Sequence, residues 1–313
     1  MKIGIVGAGN VGATAAYAMT MRNVGSEIVL VDSKMDLAAA QAHDILDSTP
    51  WTYPIRIRGG EIADLAGAGI VVLAAGSNQK PGETRLNLLS RNAEIFAAIV
   101  PSVLAAAPDT IFLVASNPVD VMTQIVTVLA GRHGVPPERV IGSGTILDSA
   151  RFRTLLAAHI GVSPAYIDAR VVGEHGDSEV LHWSGAMVGD ISAADAARQM
   201  GRELAEADRR RIDTAVRRAA YAIIQGKGAT WFGVGGGLAR IAQVIQGDER
   251  ALITCSMLTA DCQGVRDVAL SLPRVLGAGG VVATFMPNLD AEERTALKRS
   301  AEILKEAAEG VRL

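Results

Sequence analysis

Cysteine is nearly missing from this chain: Cys255 and Cys262 are the only two among 313 residues. Two thiols cannot staple a small secreted module, so a disulfide framework is excluded. Aromatic residues are scarce too, at 4%, but apolar residues as a whole reach 49%, which excludes a disordered chain. There is no excess of either charge. Thirty basic residues face 33 acidic ones, for a net charge of −3, and that balance carries no nucleic-acid footprint. A long hydrophobic run is also lacking. The most apolar stretch, 96–108, is about 13 residues long and contains Pro101, short of the roughly 20 that a spanning helix needs. The opening MKIGIVGAGN has one Lys but no separate apolar block with a cleavage site, so it reads as a strand entering a turn, not as a signal peptide. The expectation is a cytoplasmic protein with no nucleic-acid or membrane partner.

What the chain has in quantity is glycine, 33 residues, and apolar runs at regular intervals. Segments 2–6 (KIGIV), 27–31 (EIVLV), 70–75 (IVVLAA) and 111–115 (IFLVA) are near-continuous, as strands covered on both faces are. Helical patterns over 11–21 and 37–46 alternate with them, and 140–141 reads as a further short strand. This βαβ rhythm predicts an α/β fold: an N-terminal Rossmann-type, doubly wound parallel sheet followed by a C-terminal α+β substrate domain. At about 150 residues per domain the length divides in two, with the boundary placed between 1–143 and 144–313. Beyond it, strand-like runs become scarcer. Amphipathic helices are expected over 208–224, with Arg209, Arg210, Arg211, Arg217 and Arg218 on a solvated face, and over 290–309, opened by a cap at Asp290 and Glu293.

Three motifs carry chemistry. Gly7, Ala8, Gly9, Asn10, Val11 and Gly12 form G-x-G-x-x-G between a predicted strand and helix. Gly7 permits the tight turn, Gly9 lets the backbone approach a pyrophosphate, and Gly12 lets helix pack on strand. The helix N-terminus offers free N–H groups and a partial positive charge to phosphates. Asp32 lies about 20 residues beyond Gly12, at the end of the second strand, where a carboxylate accepts hydrogen bonds from a ribose and repels a 2′-phosphate. NAD is therefore favoured over NADP. In 147–153 (LDSARFR), Asp148 and Arg151 are three apart and share a helix face. One can address a histidine and the other a substrate anion, because a guanidinium matches a carboxylate. In 173–177 (GEHGD), His175 is the candidate general acid/base, since histidine alone titrates near neutrality unaided. No metal-ligand pattern is read.

The fingerprint, together with 116–120 (SNPVD), 142–153 (GSGTILDSARFR) and 173–180 (GEHGDSEV), resembles the L-lactate/malate dehydrogenase family, on its bacterial lactate side, over essentially the whole chain. The resemblance implies hydride transfer between NAD and a 2-hydroxy acid. His175 would exchange the proton, Asp148 would fix its tautomer, Arg151 would clamp the substrate carboxylate, and Arg85 would polarise the ketone oxygen. Asn117 would touch substrate or nicotinamide, Thr230 would line the substrate pocket, and Val234 would back the nicotinamide ring. Ala75 and Gly76 would join the cofactor contacts, and 76–85 would be a closing loop. Its specificity position is Gln79, where malate-type members carry Arg. A neutral amide suits pyruvate and leaves the second carboxylate of oxaloacetate unpaired, so pyruvate/L-lactate is expected. Malate dehydrogenase and a silent NAD-binding sensor are the alternatives. Arg153 matches a residue that binds fructose 1,6-bisphosphate in many relatives, but Asp168 stands where a His is expected, so weak or absent activation follows. A homotetramer is implied by the resemblance alone.

Overall fold

Strands that are apolar at every position must be covered on both sides, and the chain does this by returning through a helix after nearly every strand. A computed structural model describes residues 1–76 and 85–311, with Arg85 and Leu86 as backbone only. The first half runs β1 (Lys2–Val6), α1 (Asn10–Met21), β2 (Glu27–Val31), α2 (Met35–Leu46), β3 (Arg56–Gly60), β4 (Ala68–Leu73), α3 (Arg85–Ala106), β5 (Ile111–Val114), α4 (Val119–Gly131) and β6 (Val140–Gly142). Its six strands pair in parallel, in the order β6-β5-β4-β1-β2-β3. The strand order reverses beside β1, which opens a crevice at the carboxyl ends of β1 and β4. Alternate residues feed opposite sides: Ile3, Ile5, Ile28, Leu30, Ile70 and Val72 enter one core, while Val6, Val29, Val71, Leu73, Phe112 and Val114 enter the other.

The second half runs α5 (Ile146–Ile160), five two-residue strands β7 (Ile167–Asp168), β8 (Val171–Val172), β9 (Val180–Leu181), β10 (Met187–Val188) and β11 (Ile191–Ser192), then α6 (Ala193–Gln199), α7 (Glu206–Lys227), α8 (Phe232–Gly247), β12 (Ala251–Cys262), β13 (Val265–Gly277), β14 (Gly280–Thr284) and α9 (Ala291–Glu309). The expectation that strands thin out here needs correction. β12 and β13 are the longest described strands, at 12 and 13 residues. They form an antiparallel hairpin that joins the parallel sheet where Ser256 pairs with Gly142, and β14 pairs with β13 at the outer edge, so this sheet has nine strands among the described residues. Polar residues and Pro273 interrupt their apolar pattern, and the reason they hold is Arg274. Fully buried, its guanidinium donates to the carbonyls of Cys255, Met257 and Leu270 and to the Thr259 and Thr284 hydroxyls, tying β12, β13 and β14 together.

Other boundaries moved modestly. The edge strand β3 carries no apolar run in its sequence, because within RIRGG only Ile57 is buried. The apolar stretch is longer than read: 87–106 is long and apolar enough to cross a membrane, with a mean hydropathy of 1.3. It is a core helix, however, with Phe96, Val100 and Val103 wholly buried against the sheet. The cap on α9 is present, with Asp290 and Glu293 each accepting from the other's backbone N–H. Arg217 does not belong to a solvated face. It grips Asp213 through two nitrogens and donates to the carbonyls of Asp177 and Glu179.

Candidate active site

The glycine turn is built to be filled from outside. Gly7 has φ +106°, and a Cβ there would strike the backbone of Ala74 and Ala75. A Cβ on Gly12 would collide with the carbonyl of Gly7, so α1 packs directly on the turn. At Gly9 the opposite holds: among the described residues, nothing lies within 4 Å of where a Cβ would sit. That open ground faces the first amides of α1, at Asn10, Val11 and Gly12, which precede the first intrahelical bond, from Ala13 N–H to Gly9. A dinucleotide pyrophosphate fits this cradle. Asp32 is held at its side by the amides of Ala8 (2.8 Å) and Lys34 (3.0 Å), so its carboxylate is fixed in place beside the turn.

Around the crevice the other sheet ends are cross-tied. The Ser116 hydroxyl donates to the carbonyl of Ala75, and Ala74 N–H donates to Val6. Ala75 and Gly76 therefore leave β4 directly beside the glycine turn. Asn117, exposed at the end of β5, emerges on the same carboxyl edge. Gln79 lies outside the described residues, and Arg85 is described only as the first residue of α3.

The catalytic candidates meet just across the crevice. Asp148, in the first turn of α5 and 3% exposed, divides its oxygens: Oδ2 accepts from Nδ1 of His175 at 2.5 Å, and Oδ1 accepts from Nη1 of Arg151 at 2.9 Å. The pairing fixes the tautomer, with the proton on Nδ1 and Nε2 left for proton exchange. His175 is 26% exposed. Its burial works against the charged ring. The charge and hydrogen bond of Asp148, aided by Asp120 and Glu179, overcome that penalty and raise His175 to about 9. Arg151 commits one N–H to Asp148, leaving a planar donor with four more that lies mostly buried beside the histidine.

Two buried carboxylates, Asp120 and Glu179, lie behind His175. Asp120, in the first turn of α4, accepts from the His175 backbone N–H at 2.7 Å. Burial pushes it up to about 6, against the Ser256 hydroxyl and that amide. Glu179 is pushed up to about 8, by burial and then by the charge of Asp148, against Arg217 and His175. Both sit inside motifs already singled out, SNPVD and GEHGDSEV, but no spacing rule gave them a partner.

α8 closes the site. A Cβ on Gly235 would come within 2.7 Å of Thr14 on α1, and one on Gly233 within 2.6 Å of Leu147, the neighbour of Asp148. The start of α8, with Val234 in its first turn and Thr230 just before it, is thus wedged between the cofactor helix and the catalytic helix. Lys227, stacked on Trp231 and Phe232 at 3.4 and 4.2 Å from their ring centres, braces that turn. The allosteric candidates lie elsewhere on α5 and β7. Arg153 donates to the Ala169 carbonyl at 3.0 Å, and Asp168 pairs with Arg170 at 2.9 Å.

A doubly wound sheet with a glycine cradle at its switch point, and a buried Asp–His pair beside an Arg, defines a nicotinamide-dependent dehydrogenase of carboxylic acids. Comparison with known proteins narrows this. Residues 1–142 match the lactate/malate dehydrogenase NAD-binding domain, and 145–312 match the lactate/malate dehydrogenase alpha/beta C-terminal domain. The chain belongs to the lactate/malate dehydrogenase family. It is 57% identical over 308 residues to an L-lactate dehydrogenase of Thermus aquaticus and 53% identical over 308 residues to one of Allorhizobium ampelinum, in each case covering 98% of both chains. Among solved structures, a minor L-lactate dehydrogenase from Enterococcus mundtii aligns with a TM-score of 0.94 at 36% identity, over 100% of this chain and 98% of that one.

Proposed function

We propose that the chain interconverts pyruvate and L-lactate, with Asp148, His175 and Arg151 as its working unit. It is an NAD-dependent L-lactate dehydrogenase. The observation that carries the assignment of roles is the division of Asp148 between His175 and Arg151. One carboxylate sets the proton donor and the anion clamp in a fixed relation, as a substrate bearing a carboxylate next to its reacting carbon requires. When bound, the cofactor would supply the hydride for reduction, as NADH, and accept it in oxidation, as NAD. His175 gives its Nε2 proton to the ketone oxygen in reduction and takes one from the alcohol in oxidation. Asp148 stabilises the charged ring throughout, and Arg151 orients the substrate through its free N–H groups. Arg85 is assigned to the developing oxyanion, Asn117 and Thr230 to the substrate pocket, and Val234 to the nicotinamide wall. Gly7, Gly9, Asn10, Val11, Gly12, Asp32, Ala75 and Gly76 are assigned to the cofactor, within a division of labour at 143/144.

Pyruvate is preferred over oxaloacetate because Gln79 offers no cation to a second carboxylate. Absorbance at 340 nm with NADH and each acid tests this. Turnover of pyruvate well above oxaloacetate is expected; the reverse supports a malate dehydrogenase, and turnover of neither supports a silent sensor. Gln79→Arg should shift the preference toward oxaloacetate. A cytoplasmic homotetramer completes the proposal. Exposed Tyr221, Ile223 and Ile224 at the end of α7 support self-association, and mass by light scattering checks it.

A further inference from the structure

We propose that Asp120 is a positioning residue for this reaction: its carboxylate fixes the main chain of His175 to the cofactor half, so the ring is aimed from both halves at once. The inference rests on the reading of His175 as proton donor. Asp148 holds the ring of His175, but a ring held only at Nδ1 can still swing with its backbone. The backbone is held by Asp120, whose Oδ2 accepts the His175 N–H at 2.7 Å across 55 residues of chain. Asp120 is 2% exposed and lies three residues after Asn117, in the first turn of α4. The same short segment therefore presents a side chain at the cofactor crevice and anchors the acid/base.

The carboxylate does more than an ordinary buried acid needs for its own stability. Its other oxygen, Oδ1, is buried with only the nearby Ser256 hydroxyl to face, a contact that favours the carboxylate without closing into a well-formed hydrogen bond among the described residues. Retaining an acid with one unsatisfied oxygen is costly, and an amide would fit the same space with Nδ2 turned to Ser256. What the position requires of the side chain is an acceptor at Oδ2, at a fixed distance from the His175 amide.

Three variants test this: Asp120→Asn, which keeps the acceptor; Asp120→Ala, which removes it; and Asp120→Glu, which keeps the charge but displaces the acceptor by one methylene. NADH affinity is measured by fluorescence and pyruvate turnover by absorbance, alongside thermal unfolding. Asp120→Ala and Asp120→Glu should lower pyruvate kcat/KM by about 10²-fold, the scale of a misplaced catalytic group, with NADH affinity within threefold of the parent. Asp120→Asn should recover activity to within about fivefold. Full pyruvate turnover in Asp120→Ala or Asp120→Glu overturns the proposal. So does an Asp120→Asn enzyme as poor as Asp120→Ala, which would mean that an acceptor at this place is not what the position supplies. If Asp120→Ala does not fold, the Asn and Glu pair decides. His175→Asn is the control: if it keeps turnover, the reading of His175 has failed, independently of Asp120.

Discussion

Around the glycine turn, polar work is done by the backbone: amides at the start of α1, carbonyls cross-tying strand ends, and a single carboxylate, Asp32, itself held by two amides. Around His175 it is done by side chains. Asp148, Asp120 and Glu179 are all buried there and act on its ring. A backbone cradle can bind a large cofactor through shape, without desolvating charge. Proton transfer needs a titrating group in a set electrostatic field, and such a field requires buried charges. The two regions should therefore fail in different ways when altered, the first in affinity and packing, the second in rate and pH dependence.

The largest expected effect is at Asp148. Asp148→Asn should lower kcat for pyruvate by about 10³-fold, because the imidazole loses both its tautomer and the charge that stabilises its protonated form. The direction with pH is fixed. Asp148 raises His175, so without that charge the ring deprotonates at lower pH. Pyruvate reduction, which needs the protonated ring, should then fail at lower pH than in the parent, where the ring stays protonated up to about 9. NADH affinity should hardly move. A full pH–rate profile checks both; an unmoved alkaline limb would place the source of the field elsewhere.

The glycine turn should break by geometry. Gly12→Ala forces a methyl onto the Gly7 carbonyl and should cost about 2–3 kcal/mol of stability. Gly9→Ala meets open space, at a φ of −68° that alanine accepts readily, so its unfolding midpoint should match the parent. Its NADH affinity should nonetheless fall by about tenfold, because the methyl occupies the ground where the pyrophosphate approaches. Denaturant unfolding and fluorescence titration separate the two effects. Equal losses of stability in both variants would mean that Gly9 is merely structural.

Next comes Arg274, a buried cation whose hydrogen bonds all go to neutral acceptors. Burial lowers its proton affinity, and its five contacts offset the penalty only because the guanidinium fork reaches them together. Arg274→Lys should lose about 3 kcal/mol, since a compact ammonium is costlier to desolvate than a guanidinium and reaches fewer carbonyls. Arg274→Met removes the charge and should lose less. If Met proves as harmful as Lys in a denaturant titration, the hydrogen bonds outweigh the charge.

The same contrast decides what could be read before the structure. β1, β2, β4 and β5 were legible because continuous apolar runs have one physical cause, burial on both faces. The glycine turn was legible because its constraints act within six residues. Asp148 and Arg151 were legible as helix neighbours. Asp120 and Glu179 were not, because their meaning comes from approach through space to His175 and Asp148. β12 and β13 were underestimated for a related reason: Arg274 makes β13 look unlike a strand until the acceptors that surround it on β12, β13 and β14 are known.

The smallest expected effect concerns an anion that should be refused. Arg153 spends its Nε on the Ala169 carbonyl, and Asp168 is already paired with Arg170. A sugar bisphosphate arriving there would meet one committed cation and a carboxylate, and it would have to compete for Arg170 to gain a second cation. Fructose 1,6-bisphosphate should therefore change pyruvate KM by less than about twofold. Asp168→His removes the carboxylate and frees Arg170, adding a ring that can carry positive charge, and should make the enzyme more responsive than the parent. A strong fall in KM for the unaltered enzyme would show that Arg170 exchanges partners easily, and that charge in the second half is less firmly committed than around His175.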